Sequence, residues 1–401
     1  MKILMLGWEL PPHNAGGLGV ACYHMCIALA EHGADIDFIV PYTADHSDIN
    51  FMNVIPAIPA SAEVVHGAIG AYDSVRFTNE RGESELVDIY DYHRIYEKSI
   101  RSIVKMAEYD VIHAYDWLTI RPALLAKQLT GKPLIVNIHA LEYDRAGGKR
   151  GNPMVWEIEY QGMMMADRVV TVSQYTKNIV IREYGIPEDK IEVIHNSFDL
   201  SLYDGLTGPN DYKYLTKARE NGYKVVMYVG RLTIQKGLYN LMQAFRKVVD
   251  ACPKTYLLIV GSGDQDIELL ELAAELGLSG NVIFAGFQRG KQWRDAFGVA
   301  DITVMPSVSE PFGLTPFESA AFRVPALVSK QSGVAEVMRT ALRVDYWDID
   351  EMANQIVAVV QNTDLQLQLT ADSYNEIEQL TWGNNARKFM GLYGEHAGVI
   401  V

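Results

Sequence analysis

Two glutamates eight residues apart, Glu310 and Glu318, enclose the segment Pro311-Phe312-Gly313-Leu314-Thr315-Pro316-Phe317. Carboxylates at this separation can both reach one polyhydroxylated ligand. Gly313, between them, lets the backbone approach a ligand closely. Thr315, Pro316 and Glu318 predict a helix start: Thr315 as N-cap, Pro316 at the first helical position, Glu318 completing a capping box. A helix start after a glycine offers free N–H groups and a positive dipole end, which suit phosphate. The segment can therefore hold a diphosphate and the hydroxyls of an attached sugar. A capping box with no ligand is the plainer alternative for Glu318.

Other clusters repeat this chemistry. Gly230-Arg231-Leu232-Thr233-Ile234-Gln235-Lys236-Gly237 carries two cations five residues apart. Arg231 can clamp a diphosphate through its planar fork and Lys236 as a point charge; a solvated charged turn is the alternative. Gly261-Ser262-Gly263 and Gly286-Phe287 can pass backbone against a nucleobase. Near the N-terminus, Pro11-Pro12-His13-Asn14-Ala15-Gly16-Gly17-Leu18-Gly19 is a glycine loop suited to phosphate, without the G-x-G-x-x-G of a dinucleotide site. That absence, in both halves, disfavours a dinucleotide oxidoreductase. In His113-Ala114-Tyr115-Asp116-Trp117, Asp116 can orient a sugar hydroxyl or cap the next helix. His139, in Asn137-Ile138-His139, can hydrogen-bond a sugar, stabilise charge or be structural. His195-Asn196-Ser197 is open between ligand contact and turn chemistry.

The elements that must position these residues are legible as alternation. Short β-rich runs at 3–6, 35–40, 111–114, 134–138, 168–172 and 191–195 are followed by a second series at 225–229, 256–260, 282–285, 302–305 and 326–328. Helical segments such as 18–32, 238–251 and 266–276 lie between them. This βαβ order predicts an α/β protein with doubly wound parallel sheets. The polar stretch 200–222 predicts a linker between two Rossmann-like halves. The candidate motifs then fall just after strands, where such sheets bind ligands.

Composition narrows the class. A chain of 401 residues exceeds one ordinary core. Its 35 Lys and Arg against 50 Asp and Glu give a formal charge of −15, which lacks the electrostatic footprint for nucleic acid or anionic membrane. No segment predicts a signal peptide or a transmembrane helix, and the expected location is cytoplasmic. Cys22, Cys26 and Cys252 suggest neither a disulfide framework nor a zinc site, and no H-E-x-x-H is present.

Together these pieces resemble a family-4 retaining glycosyltransferase of the GT-B fold. The resemblance rests on Gly230-Arg231-Leu232…Lys236-Gly237, on Glu310 with Glu318, and on Asp301…Pro306-Ser307. The N-terminal glycine loop and His113–Trp117 are most similar to the glycogen and starch synthase branch, although Asn14 stands near where the usual bacterial enzymes carry a lysine. The resemblance implies two Rossmann-like domains facing a central cleft. These are an acceptor domain at 1–200 and a donor domain at 201–380, with a final helix at about 381–401 crossing back onto the first. It implies that Arg231 and Lys236 bind the donor pyrophosphate, that Glu318 binds ribose and that Glu310 contacts the donor sugar. The amides at Gly313 and Leu314, beside Thr315, meet the distal phosphate. Gly17 closes on that phosphate, and His139 sits by the anomeric carbon; outside the resemblance, Gly286 and Phe287 remain candidates for binding the donor at its base, and Asp116 and Asn196 for orienting a sugar.

The expected function is hexose transfer, with glucose the expected sugar, from ADP- or UDP-glucose to an α-glucan, without metal or other cofactor. The alternatives are transfer to a small sugar, sugar phosphate or surface glycan, and a non-catalytic nucleotide-sugar-binding protein. A homo-oligomer is compatible with the sequence.

Overall fold

The computed structural model describes the whole chain except residues 13–15, 59–60, 68–69, 79–80, 204–209 and 399–401. His13, Asn14 and Ala15 of the glycine loop, and Gly205, Gly208 and Pro209 of the expected linker, therefore lie outside the described residues. The chain divides into two compact units. One comprises Met1–Glu142, Arg150–Ser197 and Thr381–Val401; the other comprises Tyr143–Lys149 and Phe198–Leu380.

In the first unit, seven parallel strands run in the order β10-β9-β8-β7-β1-β2-β3. They are β1 (Lys2–Leu6), β2 (Asp35–Val40), β3 (Asn53–Pro56), β7 (Val111–Tyr115), β8 (Leu134–Ile138), β9 (Arg168–Thr171) and β10 (Ile191–Val193). Strand order reverses between β1 and β7, so their carboxyl ends flank a crevice of the kind that binds ligands in doubly wound sheets. Residues 3–6 and 111–115 are wholly buried, as strands covered on both faces require.

The same unit holds a separate antiparallel sheet of β4 (Ser61–Gly67), β5 (Gly70–Thr78) and β6 (Ser84–Asp88). The sequence pattern predicts no strands here and none at β3. These runs mix charged and apolar residues and stand outside the βαβ rhythm. The C-terminal helix Trp382–Ala397 completes the first core. It buries Trp382, Ala386, Phe389, Met390 and Tyr393, one stripe at helical spacing. The Tyr393 hydroxyl lies 2.6 Å from Nδ1 of the buried His113, and Asn385 Nδ2 donates to the His195 carbonyl at 2.7 Å.

The second unit is a six-stranded parallel sheet, β13-β12-β11-β14-β15-β16. Its strands are β11 (Lys224–Val229), β12 (Thr255–Val260), β13 (Val282–Gly286), β14 (Ile302–Met305), β15 (Ala326–Ser329) and β16 (Leu342–Val344). Here the order reverses between β11 and β14.

The expected linker contains a helix, Lys213–Glu220, which corrects its reading as turns. Leu215 and Ala218, three apart, bury one face beside Val225 and Met227 of β11; the other positions are polar, which hid the periodicity. Asp301 anchors this helix. Its nearly buried carboxylate accepts from Arg219 at 3.2 Å and from the Val225 amide at 2.8 Å, with Lys224 at 3.5 Å. Replacing Asp301 by Ala leaves a buried amide without its acceptor and two cations without their anion. The expected cost is about 3 kcal/mol, read as a lower denaturant midpoint at unchanged slope. An unchanged midpoint would show that the helix is held by its apolar face alone.

Candidate active site

The loops that leave β11 and β14 at the switch point of the second sheet are bound to each other. After β11 the chain makes a short 3-10 turn, Ile234–Lys236. The Gln235 carbonyl accepts from the Val308 amide at 2.9 Å, and its buried side chain donates to the Ser309 carbonyl at 3.0 Å. Gly237 closes the turn at φ 69°, and a Cβ there would stand 2.1 Å from the Pro306 carbonyl oxygen. Only glycine satisfies both conditions. Ser309 in turn donates to the buried Asp144 at 2.5 Å, so the Tyr143–Lys149 segment packs on the same loop.

This packing brings Lys236 to Glu310. Lys236 Nζ lies 2.5 Å from Glu310 Oε2, and Ser307 Oγ donates to the same oxygen at 3.0 Å. Glu310 is 7% exposed. Its backbone is pinned on the other side: its amide donates to the Gln331 carbonyl and its carbonyl accepts from Gly333. One residue thus ties together the loops after β11, β14 and β15. Arg231 is exposed at the start of the β11 loop, its carbonyl held by the Tyr228 hydroxyl at 2.7 Å.

The helix predicted after Gly313 is Thr315–Ala321, but the capping box does not form. Thr315 is itself helical, Leu314 is the N-cap, and no side chain caps the end. The Leu314 carbonyl instead accepts from Phe317 and Glu318. Among the described residues, the amides of Gly313, Leu314 and Thr315 have no hydrogen-bond acceptor. The cap fails because Gly313, at φ 93°, turns the chain one residue earlier than the Thr-Pro signal implies. Glu318, freed from capping, is half-buried and meets the Tyr203 hydroxyl. Burial pushes its carboxyl up to about 7, against the opposing pull of that hydroxyl. Tyr203 escaped the sequence analysis because it lies in the stretch taken as linker.

In the first unit, the candidates after β1, β7 and β8 sit at the carboxyl ends of central strands. Gly17 begins the helix Gly17–Glu31, and a Cβ there would meet open space. Beside it, the Glu9 carboxylate accepts from the Gly16 amide at 2.8 Å. Asp116 stands at the N-cap position of the helix that follows it, but its side chain makes no capping hydrogen bond. Its carboxylate reaches across to β8, accepting from the amides of His139 at 2.6 Å and Ala140 at 3.2 Å, with its own backbone at φ 56°. His139 Nε2 is buried without a partner among the described residues. Burial pulls the imidazole down to about 3, so it is neutral and can hydrogen-bond but not supply positive charge.

Two candidates lie away from the switch points. Asn196 follows β10 and Phe287 follows β13, both edge strands. Gly286 contributes a carbonyl to the Gly261 amide at 2.8 Å, while the Phe287 ring is 60% exposed under the Arg289 guanidinium. Among the described residues no cluster of three metal-ligating side chains forms, and no helix is long and apolar enough to cross a membrane.

Two family models match consecutive parts of the chain: Glycosyltransferase Family 4 over residues 15–202 and Glycosyl transferases group 1 over residues 216–376. The chain is a family-4 glycosyltransferase of the GT-B type. An uncharacterized glycosyltransferase of Methanocaldococcus jannaschii is 29% identical to this glycosyltransferase over 98% of each chain. The glycogen synthase of Mycobacterium tuberculosis is 28% identical over 84% of this chain and 80% of its own. The D-inositol 3-phosphate glycosyltransferase of Salinispora arenicola is 26% identical over 95% and 88%. In fold, the glycosyltransferase is similar to sucrose-phosphate synthase from Thermosynechococcus elongatus, with a TM-score of 0.74 at 19% identity over 98% of both chains. It is also similar to Anabaena HepE in complex with UDP and glucose, with a TM-score of 0.69 at 19% identity over 98% of this chain and 100% of that one.

The raised Glu318 carboxyl gives a direct check. Because folding favours its protonated form, its contribution to stability falls as pH rises from 4.5 toward 7. Carbon-13 NMR of labelled glutamate, assigned by loss of the signal in Glu318→Gln, should show one carboxyl titrating near 7. A midpoint at the ordinary glutamate value would show that water reaches the group freely.

Proposed function

We propose that this glycosyltransferase is a retaining hexosyltransferase that moves glucose from ADP- or UDP-glucose to an α-glucan. The observation that carries the reading is the meeting of Lys236 and Glu310 at one switch point, on loops that also carry Arg231, Glu318 and the amides at 313–315, which have no acceptor among the described residues. Cations and amides suit a diphosphate; carboxylates suit the hydroxyls at its two ends. In this reading Arg231 and Lys236 hold the pyrophosphate, Gly313, Leu314 and Thr315 the distal phosphate, Glu318 the ribose and Glu310 the transferred sugar. Gly286 and Phe287 serve the base. Gly17, His139, Asp116 and Asn196 remain proposals for the distal phosphate and the sugars. HepE, one solved form of which holds UDP-glucose, supports a nucleotide sugar as donor.

The chemistry follows from charge. As the bond from the anomeric carbon to the diphosphate oxygen breaks, the ring becomes positive and the leaving group negative. Arg231, Lys236 and the amides stabilise that leaving group with donors already in place. Lys236 must release Glu310 to do so, which frees the carboxylate for the sugar. The acceptor oxygen then bonds to carbon on the same face, and its proton passes to the departing phosphate. These donors supply the positive charge without a metal, so activity is expected to persist in chelator.

A smaller acceptor is the second reading, favoured by the inositol phosphate enzymes that align along nearly the whole chain. A matrix of ADP- and UDP-glucose against glycogen, maltooligosaccharides, monosaccharides and sugar phosphates, read by released nucleotide, separates the two. Arg231→Ala should lower turnover roughly 10²-fold, as loss of a charge-stabilising donor does, with thermal stability unchanged because the side chain is exposed. Full activity in that variant would remove Arg231 from the clamp, and an inverted anomeric product by proton NMR would overturn retention.

A further inference from the structure

Tyr228 stands near the carboxyl end of β11, and its ring lies in the core of the second unit with Val226, Leu241 and Phe245. It is wholly buried. Phenylalanine would fill the same space, and a buried hydroxyl costs free energy unless it is bonded. Here the hydroxyl donates to the Arg231 carbonyl at 2.7 Å. Gly230 leaves room for that bond, since a Cβ there would stand 2.9 Å from the phenolic oxygen. The loop after β12 closes on the same segment. The Gly230 amide donates to the Val260 carbonyl and the Leu232 amide to the Ser262 carbonyl, both at 3.0 Å. A Cβ on Gly261 would stand 1.8 Å from the Gly230 carbonyl oxygen, and one on Gly263 2.2 Å from that of Leu232. The glycines of Gly261-Ser262-Gly263 thus let backbone grip residues 230 and 232. The carbonyl between them is held by Tyr228.

We propose that Tyr228 is a positioning residue for the diphosphate clamp, setting the main chain at Arg231 so that the guanidinium is presented before ligand arrives. The inference rests on the reading above that Arg231 holds the pyrophosphate. Fixing the Arg231 carbonyl fixes the torsion on one side of its Cα. With the neighbouring amides also held, the Cα–Cβ bond has one direction, and the exposed side chain starts from a fixed root. Ordering a long side chain on binding costs affinity, and a backbone already in place removes part of that cost. Tyr228 lies buried beneath the loop with its hydrogen engaged by the carbonyl, so it acts through Arg231.

The test is calorimetric titration of UDP and ADP, with uridine and adenosine as phosphate-free controls, into wild type, Tyr228→Phe, Arg231→Ala and the double variant, each with its melting temperature. Tyr228→Phe keeps the ring in the core. It should weaken whichever diphosphate wild type binds more tightly about fivefold, within the range of one neutral hydrogen bond, and leave the nucleosides unaffected. In the Arg231→Ala background the same change should have little further effect. Replacing Tyr228 by 4-aminophenylalanine returns a donor to the same place and should restore the affinity. If Arg231→Ala binds the diphosphates as wild type does, the clamp reading itself fails, and the proposal with it. If Arg231→Ala weakens them while Tyr228→Phe lowers only the melting temperature, or changes nothing, the hydroxyl is a structural bond and the proposal is overturned. Equal weakening by Tyr228→Phe in both backgrounds, or of nucleosides and diphosphates alike, would overturn it as well. So would a 4-aminophenylalanine variant with wild-type stability and weakened diphosphate binding.

Discussion

The contact between Lys236 and Glu310 organises the second unit. A nearly buried carboxylate needs a partner, and removing one member of such a pair is more costly than the pair is stabilising. Here the partner comes from the loop after β11, while the carboxylate belongs to the loop after β14 and its backbone is fastened to the loop after β15. The tight turn at Gly237, the buried Gln235 and the Ser307 hydroxyl all serve to bring that ammonium to that carboxylate. A diphosphate and a sugar can compete for the two ends of the pair. The loops are thereby held in place before any ligand arrives, and the ion pair is the part of the site that ligand binding would rearrange.

The two sheets solve one problem in the same way. Each reverses its strand order once, and each carries most of its polar candidates on loops leaving the central strands, Asn196 after the edge strand β10 excepted. In the first unit Asp116 plays the fastening role, reaching from β7 to the amides after β8 and so fixing the backbone of a neutral His139. From its place in the sequence Asp116 is expected to be a sugar contact or a helix cap. A carboxylate that binds main-chain amides of the next strand is a third use, and spacing along one chain does not show it.

What was legible in the sequence follows from this. The central strands and the longer helices were readable because burial on both faces leaves continuous apolar runs, and amphipathic helices leave a period. Lys236, Glu310 and the glycine turn stood out because charged residues and glycines follow apolar, buried strands within a few positions. The antiparallel sheet at 61–88 and the helix at 213–220 were not readable, since strand runs that mix charged and apolar residues and short, mostly polar helices leave weak patterns. The capping box at Thr315 was a local signal overridden by the turn at Gly313. Tyr203 and Asp144 gained their meaning only from residues more than a hundred positions away, Glu318 and Ser309.

The central claim is that the switch point of the second sheet holds a nucleoside diphosphate sugar. It is tested most directly by a crystal structure with an unreactive 2-fluoro donor, in UDP and ADP forms. The account predicts diphosphate oxygens against Lys236, Arg231 and the amides of Gly313 to Thr315, Glu318 at the ribose, and the Lys236–Glu310 pair opened with Glu310 turned to the sugar. A donor bound with that ion pair intact, or with its diphosphate on other loops, would contradict it.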